Sequence, residues 1–184
     1  MIVSRDPAPS PREYIASSGG LFRDMTIHDF DMARFFLGEV VEVSAMGSNL
    51  VADYIAELGD IDGAVVTLRG ALCHITNSRR CTFGYDQHLE AFGSLGMLSV
   101  DNLRPDGVRS FGAHGTEGAS TYLDFFLDRY TPAYRAELDH FIETIGSGTA
   151  PEPGFDDGRA ALVLADAAEE SVRTGRVVPV GGAR

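Results

Sequence analysis

The sequence contains no lysine and no tryptophan, because all fifteen of its basic residues are arginine. A mechanism that needs a lysine therefore cannot be completed by these 184 residues alone. The formal net charge of -12 opposes binding to a nucleic-acid backbone, which depends on clustered positive charge. We predict that neither DNA nor RNA is a partner of this chain.

Long apolar runs are also missing, since no stretch reaches the roughly eighteen residues of a membrane-spanning helix. The opening residues, MIVSRDPAPSPREY, lack the apolar centre of a secretion signal. Two cysteines, Cys73 and Cys81, do not form the even spacing of a secreted disulfide framework. These absences predict a cytoplasmic protein with reduced thiols and no membrane partner.

A dinucleotide-binding fingerprint is absent as well. Such a unit needs a glycine-rich turn between a strand and a helix, followed about twenty residues later by an acidic residue. The glycine-containing segments GSLGML and GAHGTEG have neither that spacing nor that context. We therefore expect no NAD or NADP to bind to this chain alone.

The apolar patterns that are present predict strands in the first half and helices on either side of them. Residues 2–7 read as a short strand, and the later strands are rich in Val, Thr, Ile and Leu and are separated by glycine. They are predicted at residues 39–51, 62–70, 71–79, 86–94 and 96–103. The connection LGDIDG, residues 58–63, reads as a hairpin-like turn.

Helical patterns occupy residues 19–38, which Gly38 can end, and residues 156–175, which Gly175 can end. Residues 121–148 are also helical, with a predicted break at Thr131 and Pro132, where Pro132 would begin the second piece. Residues 176–180 read as a short extended tail. This order predicts an α+β fold, a mostly antiparallel sheet with helices packed on one face, as a single domain over residues 1–184.

The helix at residues 19–38 carries titratable side chains within one narrow arc, formed by Asp24, His28 and Asp31. Asp24 and His28 are four residues apart, so their side chains can meet, and a carboxylate beside an imidazole suits proton transfer. From spacing alone, an ordinary helix ion pair explains the same pattern. A metal site would need a further ligand, and because the other histidines show no paired spacing, no metal is predicted.

A second polar cluster lies in NSRRCTFGYDQ, where Arg79, Arg80, Tyr85 and Asp86 could line a pocket. Tyrosine would then donate a hydrogen bond to a substrate hydroxyl. The alternative is a turn decorated with surface arginines, since turns are normally polar.

These segments together are similar to a known family. SGGLFRDMTIHDFDMARFFLG, the opening SRDP, SRR..FGYDQ.LEAFGS.GML and the closing F.DGR.AL.LADAA resemble the C-terminal domain of the Gfo/Idh/MocA oxidoreductases, most closely the inositol 2-dehydrogenases. The resemblance covers essentially the whole chain. It implies a truncated dehydrogenase whose N-terminal Rossmann domain, which binds NAD or NADP and carries a catalytic lysine, is absent from this chain.

The resemblance also implies roles for individual residues. His28 would be the general base and Asp24 would orient His28 or bind an adjacent hydroxyl, while Asp6 and Tyr85 would contact the substrate. It implies a polyol or sugar substrate, with inositol first, a homo-oligomer formed through the sheet, and no activity of this chain alone. The alternative is a non-catalytic oligomerisation or polyol-binding module, for which the sheet surface would be the main asset.

Overall fold

A twisted sheet of seven strands forms the centre of the structure, a computed structural model that describes residues 1–181. Residues 182–184, the last three of the predicted domain, lie outside the described residues. In chain order the strands are β1 (Ile2–Arg5), β2 (Glu42–Ser48), β3 (Gly63–Arg69), β4 (Cys73–Ser78), β5 (Asp86–Gly93), β6 (Gly96–Val100), β7 (Arg109–Gly112), β8 (Gly115–Ala119) and β9 (Val178–Pro179).

The order across the sheet is β6-β5-β1-β4-β3-β2-β9, while β7 and β8 form a separate hairpin. In the described sheet, β1 and β4 are parallel and the other neighbouring pairs are antiparallel. This confirms the predicted mostly antiparallel sheet. The pairing of β1 with β4 and β5 brings Asp6, just after β1, beside the chain that leaves β4 at Arg79.

Two helices cover one face of the sheet, as predicted. The helices are α1 (Arg12–Ile15), a π-helical turn (Phe22–Thr26), α2 (Ile27–Leu37), α3 (Asp53–Glu57), α4 (Phe126–Ser147) and α5 (Phe155–Thr174). α2 packs against α5, and both contact the sheet. Their apolar sides enclose the core with alternate strand residues, including Phe30, Ala165, Ala168, Val43, Val66 and Ile75.

Glycine ends two of these helices where the sequence predicts it. Gly38 has a φ of +77° and Gly175 a φ of +68°, values that side-chain-bearing residues rarely adopt. Each donates its backbone N–H to a carbonyl of the last helical turn, to Arg34 and Ser171 respectively. Gly38 thereby fixes where α2 stops.

The predicted helix break at Thr131 and Pro132 is wrong, because α4 runs without interruption from Phe126 to Ser147. Pro132 removes one backbone hydrogen bond of that helix. The Thr131 hydroxyl donates to the Leu127 carbonyl at 2.5 Å, so the preceding turn stays closed. One missing N–H does not outweigh the other turns of a helix of 22 residues.

Short elements were missed by the sequence reading. The hairpin of β7 and β8 lies in a glycine-rich stretch without clear alternation of apolar residues. α3 occupies the connection before the predicted turn at residues 58–63, where the buried Asp62 carboxylate accepts backbone N–H groups. Those donors, at 2.7 to 3.1 Å, are Leu50, Val51 and Ala52.

α4 leaves much of its apolar side in solvent, including Leu138, Phe141, Ile142 and Ile145. It is nevertheless too polar to be a bilayer helix. Over the part of the chain that the structure describes, every helix falls short of the length or hydropathy needed to cross a membrane.

Candidate active site

Asp24 lies at the centre of a group of polar side chains where β1, β4 and the π-helical turn meet. Its Oδ1 accepts a hydrogen bond from the Tyr14 hydroxyl at 2.6 Å, and its Oδ2 accepts one from Arg79 Nη1 at 2.7 Å. The Asp24 side chain is 13 % exposed. Both carboxylate oxygens are therefore fixed in direction while part of the group still reaches solvent.

Arg79 is buried, with a side chain only 1 % exposed, and it bridges two carboxylates. Its Nη2 donates to Asp60 Oδ2 at 3.2 Å, while Asp60 Oδ1 accepts the backbone N–H of Leu21 at 3.0 Å. Burying a guanidinium is costly unless it is paired, and two carboxylates meet that need here. The pairing also ties the residue before the π-helical turn to the end of β4.

His28 is the second residue of α2, and its side chain is exposed. The structure does not bring it into an ion pair with Asp24, whose oxygens are bonded to Tyr14 and Arg79 instead. The predicted contact assumed a regular α-helix, whereas Asp24 lies in a π-helical turn. Because that turn is wider, residues four apart no longer stack directly. Asp31, the third member of the predicted arc, is partly exposed on α2.

Asp6 lies directly after β1, held by its backbone N–H to the Ser78 carbonyl at 3.0 Å. Burial raises the pKa of Asp6 to about 6, since a charged carboxylate loses water there. Arg79 lowers this pKa, while the charges of Asp24 and Asp29 raise it. These influences place Asp6 among the same charged groups as Asp24.

Tyr85 precedes β5 and is half-buried, with its ring edge-to-face against Tyr130 at 6.0 Å between ring centres. Burial raises the pKa of Tyr85, and nearby Tyr130 and Asp6 raise it further. Its hydroxyl is therefore a neutral hydrogen-bond donor at physiological pH. The influence of Asp6 on this pKa indicates that the two residues lie near each other.

The four residues that the sequence predicts in one polar pocket, Arg79, Arg80, Tyr85 and Asp86, have different surroundings in the structure. Arg79 and Tyr85 belong to the site, whereas Arg80 is exposed. Asp86 is buried and already accepts three hydrogen bonds. They come from the side chains of Arg5, His88 and Asn102 at 2.6 to 2.8 Å. Asp86 therefore stabilises the sheet rather than lining a pocket.

The sequence analysis did not identify Asp29 as a site residue. Asp29 follows His28 in α2 and is 2 % exposed. It accepts hydrogen bonds from Ser4 at 2.6 Å and Asn77 at 2.7 Å, and a longer one from Gln87 at 3.3 Å. Burial raises the pKa of Asp29, and these donors oppose the rise. The sequence does indicate this cluster, because Ser4 and Asn77 are polar residues where the alternating pattern of β1 and β4 calls for apolar ones. The two residues are opposite each other in the pairing of these strands.

This arrangement suits a molecule with several hydroxyl groups. Carboxylates accept hydrogen bonds from hydroxyls and neutral tyrosines donate to them. The site does not suit a pyrophosphate, because carboxylates dominate it and the buried Arg79 is already paired with two of them. Within residues 1–181, His, Cys, Asp and Glu form no cluster of three or more that could hold a metal ion.

Comparison with known proteins identifies the family. The profile of the GFO/IDH/MocA C-terminal domain matches residues 2–99. The chain belongs to this family of oxidoreductases, which confirms the resemblance seen in the sequence.

Several relatives are inositol dehydrogenases by name. The myo-inositol 2-dehydrogenase of Thermotoga maritima is 51% identical over 181 residues, which cover 96% of this chain and 54% of that protein. The scyllo-inositol 2-dehydrogenase (NAD(+)) of Bacillus subtilis is 34% identical, with 95% and 52% covered.

Solved structures agree with these relatives. The crystal structure of a myo-inositol dehydrogenase from Corynebacterium glutamicum matches with a TM-score of 0.96 and 55% identity, over 99% of this chain and 56% of that one. The chain thus spans about half the length of the relatives it matches.

Proposed function

We propose that this chain is the substrate-binding half of an NAD-dependent oxidoreductase that oxidises one hydroxyl of inositol to a ketone. The observation that carries the proposal is the group of polar side chains around Asp24, whose carboxylate is held by Tyr14 and Arg79. Asp6 lies among the same charges, and the exposed imidazole of His28 is on the helix that follows Asp24. The names of the relatives support inositol as the substrate, and the name of the Bacillus subtilis relative supports NAD.

In this proposal His28 is the general base, because it is an exposed imidazole in the first turn of the helix that follows Asp24. It accepts the proton of a substrate hydroxyl as the C–H hydride leaves the same carbon, so that a secondary alcohol becomes a ketone. The base must lie within hydrogen-bond reach of that hydroxyl. Asp24, Asp6 and Tyr85 orient the inositol ring by binding its other hydroxyls. A ligand without these hydroxyls would therefore bind poorly.

When NAD is bound, it accepts the hydride. The protein positions the cofactor and the substrate relative to each other. The pairing of Arg79 with Asp24 and Asp60 supports a cofactor held by another polypeptide segment, because this cation is not available to a pyrophosphate. We therefore assign the cofactor to a nucleotide-binding half that is missing from these 184 residues, and we expect no turnover by this chain alone.

The sheet face opposite α2 and α5 is proposed to join copies of the chain. Two cross-strand pairs on that face are apolar and exposed: Met46 with Val65, and Phe92 with Met97. Exposed apolar side chains on a sheet are a common basis for association. This supports a homo-oligomer formed through the sheet.

A fusion enzyme tests the proposed function. The chain is joined to the N-terminal half of the Thermotoga maritima relative, and NADH formation is followed with myo-inositol and scyllo-inositol, with the intact relative as a positive control. We expect NADH with at least one isomer. A folded fusion that binds NAD+ but produces no NADH from any inositol would contradict the proposal and favour a non-catalytic polyol-binding module.

A further inference from the structure

Tyr14 contacts the carboxylate that the proposed function assigns to the substrate site. Its hydroxyl donates to Asp24 Oδ1 at 2.6 Å, although the two residues lie on different elements. The bond is short and has an ionised acceptor, which makes it one of the stronger kinds of hydrogen bond in proteins. The Tyr14 side chain is 51 % exposed, so it forms the solvent side of the Asp24 environment.

The segment that carries Tyr14 is firmly attached to the rest of the fold. Ile15, the next residue in α1, is 3 % exposed. Arg12 forms an ion pair with Glu57 of α3 at 2.7 Å, and the Tyr54 hydroxyl donates to the Ser10 carbonyl at 2.8 Å. The reach of Tyr14 to Asp24 is therefore set by the packing of α1 against α3.

Arg79 and Tyr14 hold Asp24 from opposite sides, one oxygen each. The guanidinium is buried and fixed by Asp60, while the phenol is at the surface. A carboxylate held at both oxygens cannot rotate, and each oxygen keeps a lone pair for a further donor. Such a group is preorganised to accept a hydrogen bond from a ligand hydroxyl.

We propose that Tyr14 is a positioning residue, which together with Arg79 holds the Asp24 carboxylate in the direction that accepts one hydroxyl of the polyol. This inference rests on the proposed function and adds a residue to it. Because the Tyr14 hydroxyl fixes one oxygen of the Asp24 carboxylate, its removal leaves the carboxylate held at the other oxygen only. The other charged groups around Asp24 are Arg79, Asp60 and Asp6.

The test is calorimetric titration of the 184-residue chain with myo-inositol at neutral pH, comparing wild type with Tyr14→Phe. We expect the variant to bind about tenfold more weakly, the size of effect of one charge-assisted hydrogen bond. The melting temperature should be nearly unchanged, because buried Ile15 and the Arg12–Glu57 ion pair still hold α1 in place.

Tyr134→Phe is the matched control. This tyrosine is 45 % exposed on α4, and its hydroxyl makes no hydrogen bond within residues 1–181. The Tyr134→Phe variant should bind myo-inositol with the affinity of the wild type. Equal affinities of wild type and Tyr14→Phe would overturn the inference, as would a loss of affinity that is accompanied by a clearly lower melting temperature. Absence of binding by wild type would instead contradict the proposed function, and this inference with it.

Discussion

Replacing His28 by alanine is expected to lower the turnover number of the fusion enzyme about a thousandfold, the middle of the range for loss of a positioned general base. The reason is that no other described side chain at the site is an exposed imidazole that could take the hydroxyl proton. The Michaelis constant should change much less, because Asp24, Asp6 and Tyr85 still bind the ring. Steady-state NADH formation with the substrate varied gives both constants.

His114→Ala provides the control for that experiment. His114 is an exposed histidine in the turn between β7 and β8, on the hairpin that is separate from the main sheet. Its replacement should leave both constants near wild type. If His28→Ala also retained turnover within a few-fold of wild type, His28 would not be the base.

Asp6→Asn should raise the free energy of unfolding of the chain at neutral pH by about 2–3 kcal/mol, and the gain should vanish near pH 4. Burial raises the pKa of Asp6 from 3.8 in the unfolded chain to about 6 in the folded protein. Between these values the folded state keeps a proton that the unfolded chain has lost, so the wild type loses stability as pH rises through this window. Asparagine cannot ionise and avoids that loss.

Urea unfolding at a series of pH values measures the difference between Asp6→Asn and wild type. Asp101→Asn, a change at an exposed carboxylate, is the control and should show no comparable pH dependence. A difference that does not change with pH, or a variant less stable than wild type at neutral pH, would contradict this explanation. The same variant should bind myo-inositol more weakly, because a substrate site commonly sacrifices stability for function.

The sheet could be predicted from the sequence because its strands follow local rules. Apolar residues alternate along β2, β3 and β4, as at Val43, Val66 and Ile75, and the ends of α2 and α5 are marked by Gly38 and Gly175. The π-helical turn could not be predicted, since FRDMT has the composition of an ordinary helix. Its geometry depends on packing of Phe22 and Met25 into the core.

For the candidate site, the sequence offered only the spacing of residues along one helix and the family resemblance. Tyr14 lies 10 residues from Asp24, and Arg79 lies 55 residues from it. The sheet pairing and the packing of α1 on α3 bring them together, and these are tertiary contacts that spacing does not reveal. For the same reason the ion pair expected between Asp24 and His28 gave way to bonds with Tyr14 and Arg79.

Calorimetric titration of the purified 184-residue chain with NAD+ and, separately, with myo-inositol tests the central claim most directly. The claim is that this chain holds a polyol site and that the cofactor belongs to another half. We expect saturable heat with myo-inositol and none with NAD+. Stoichiometric binding of NAD+, or no heat with any inositol isomer while the chain remains folded, would contradict it.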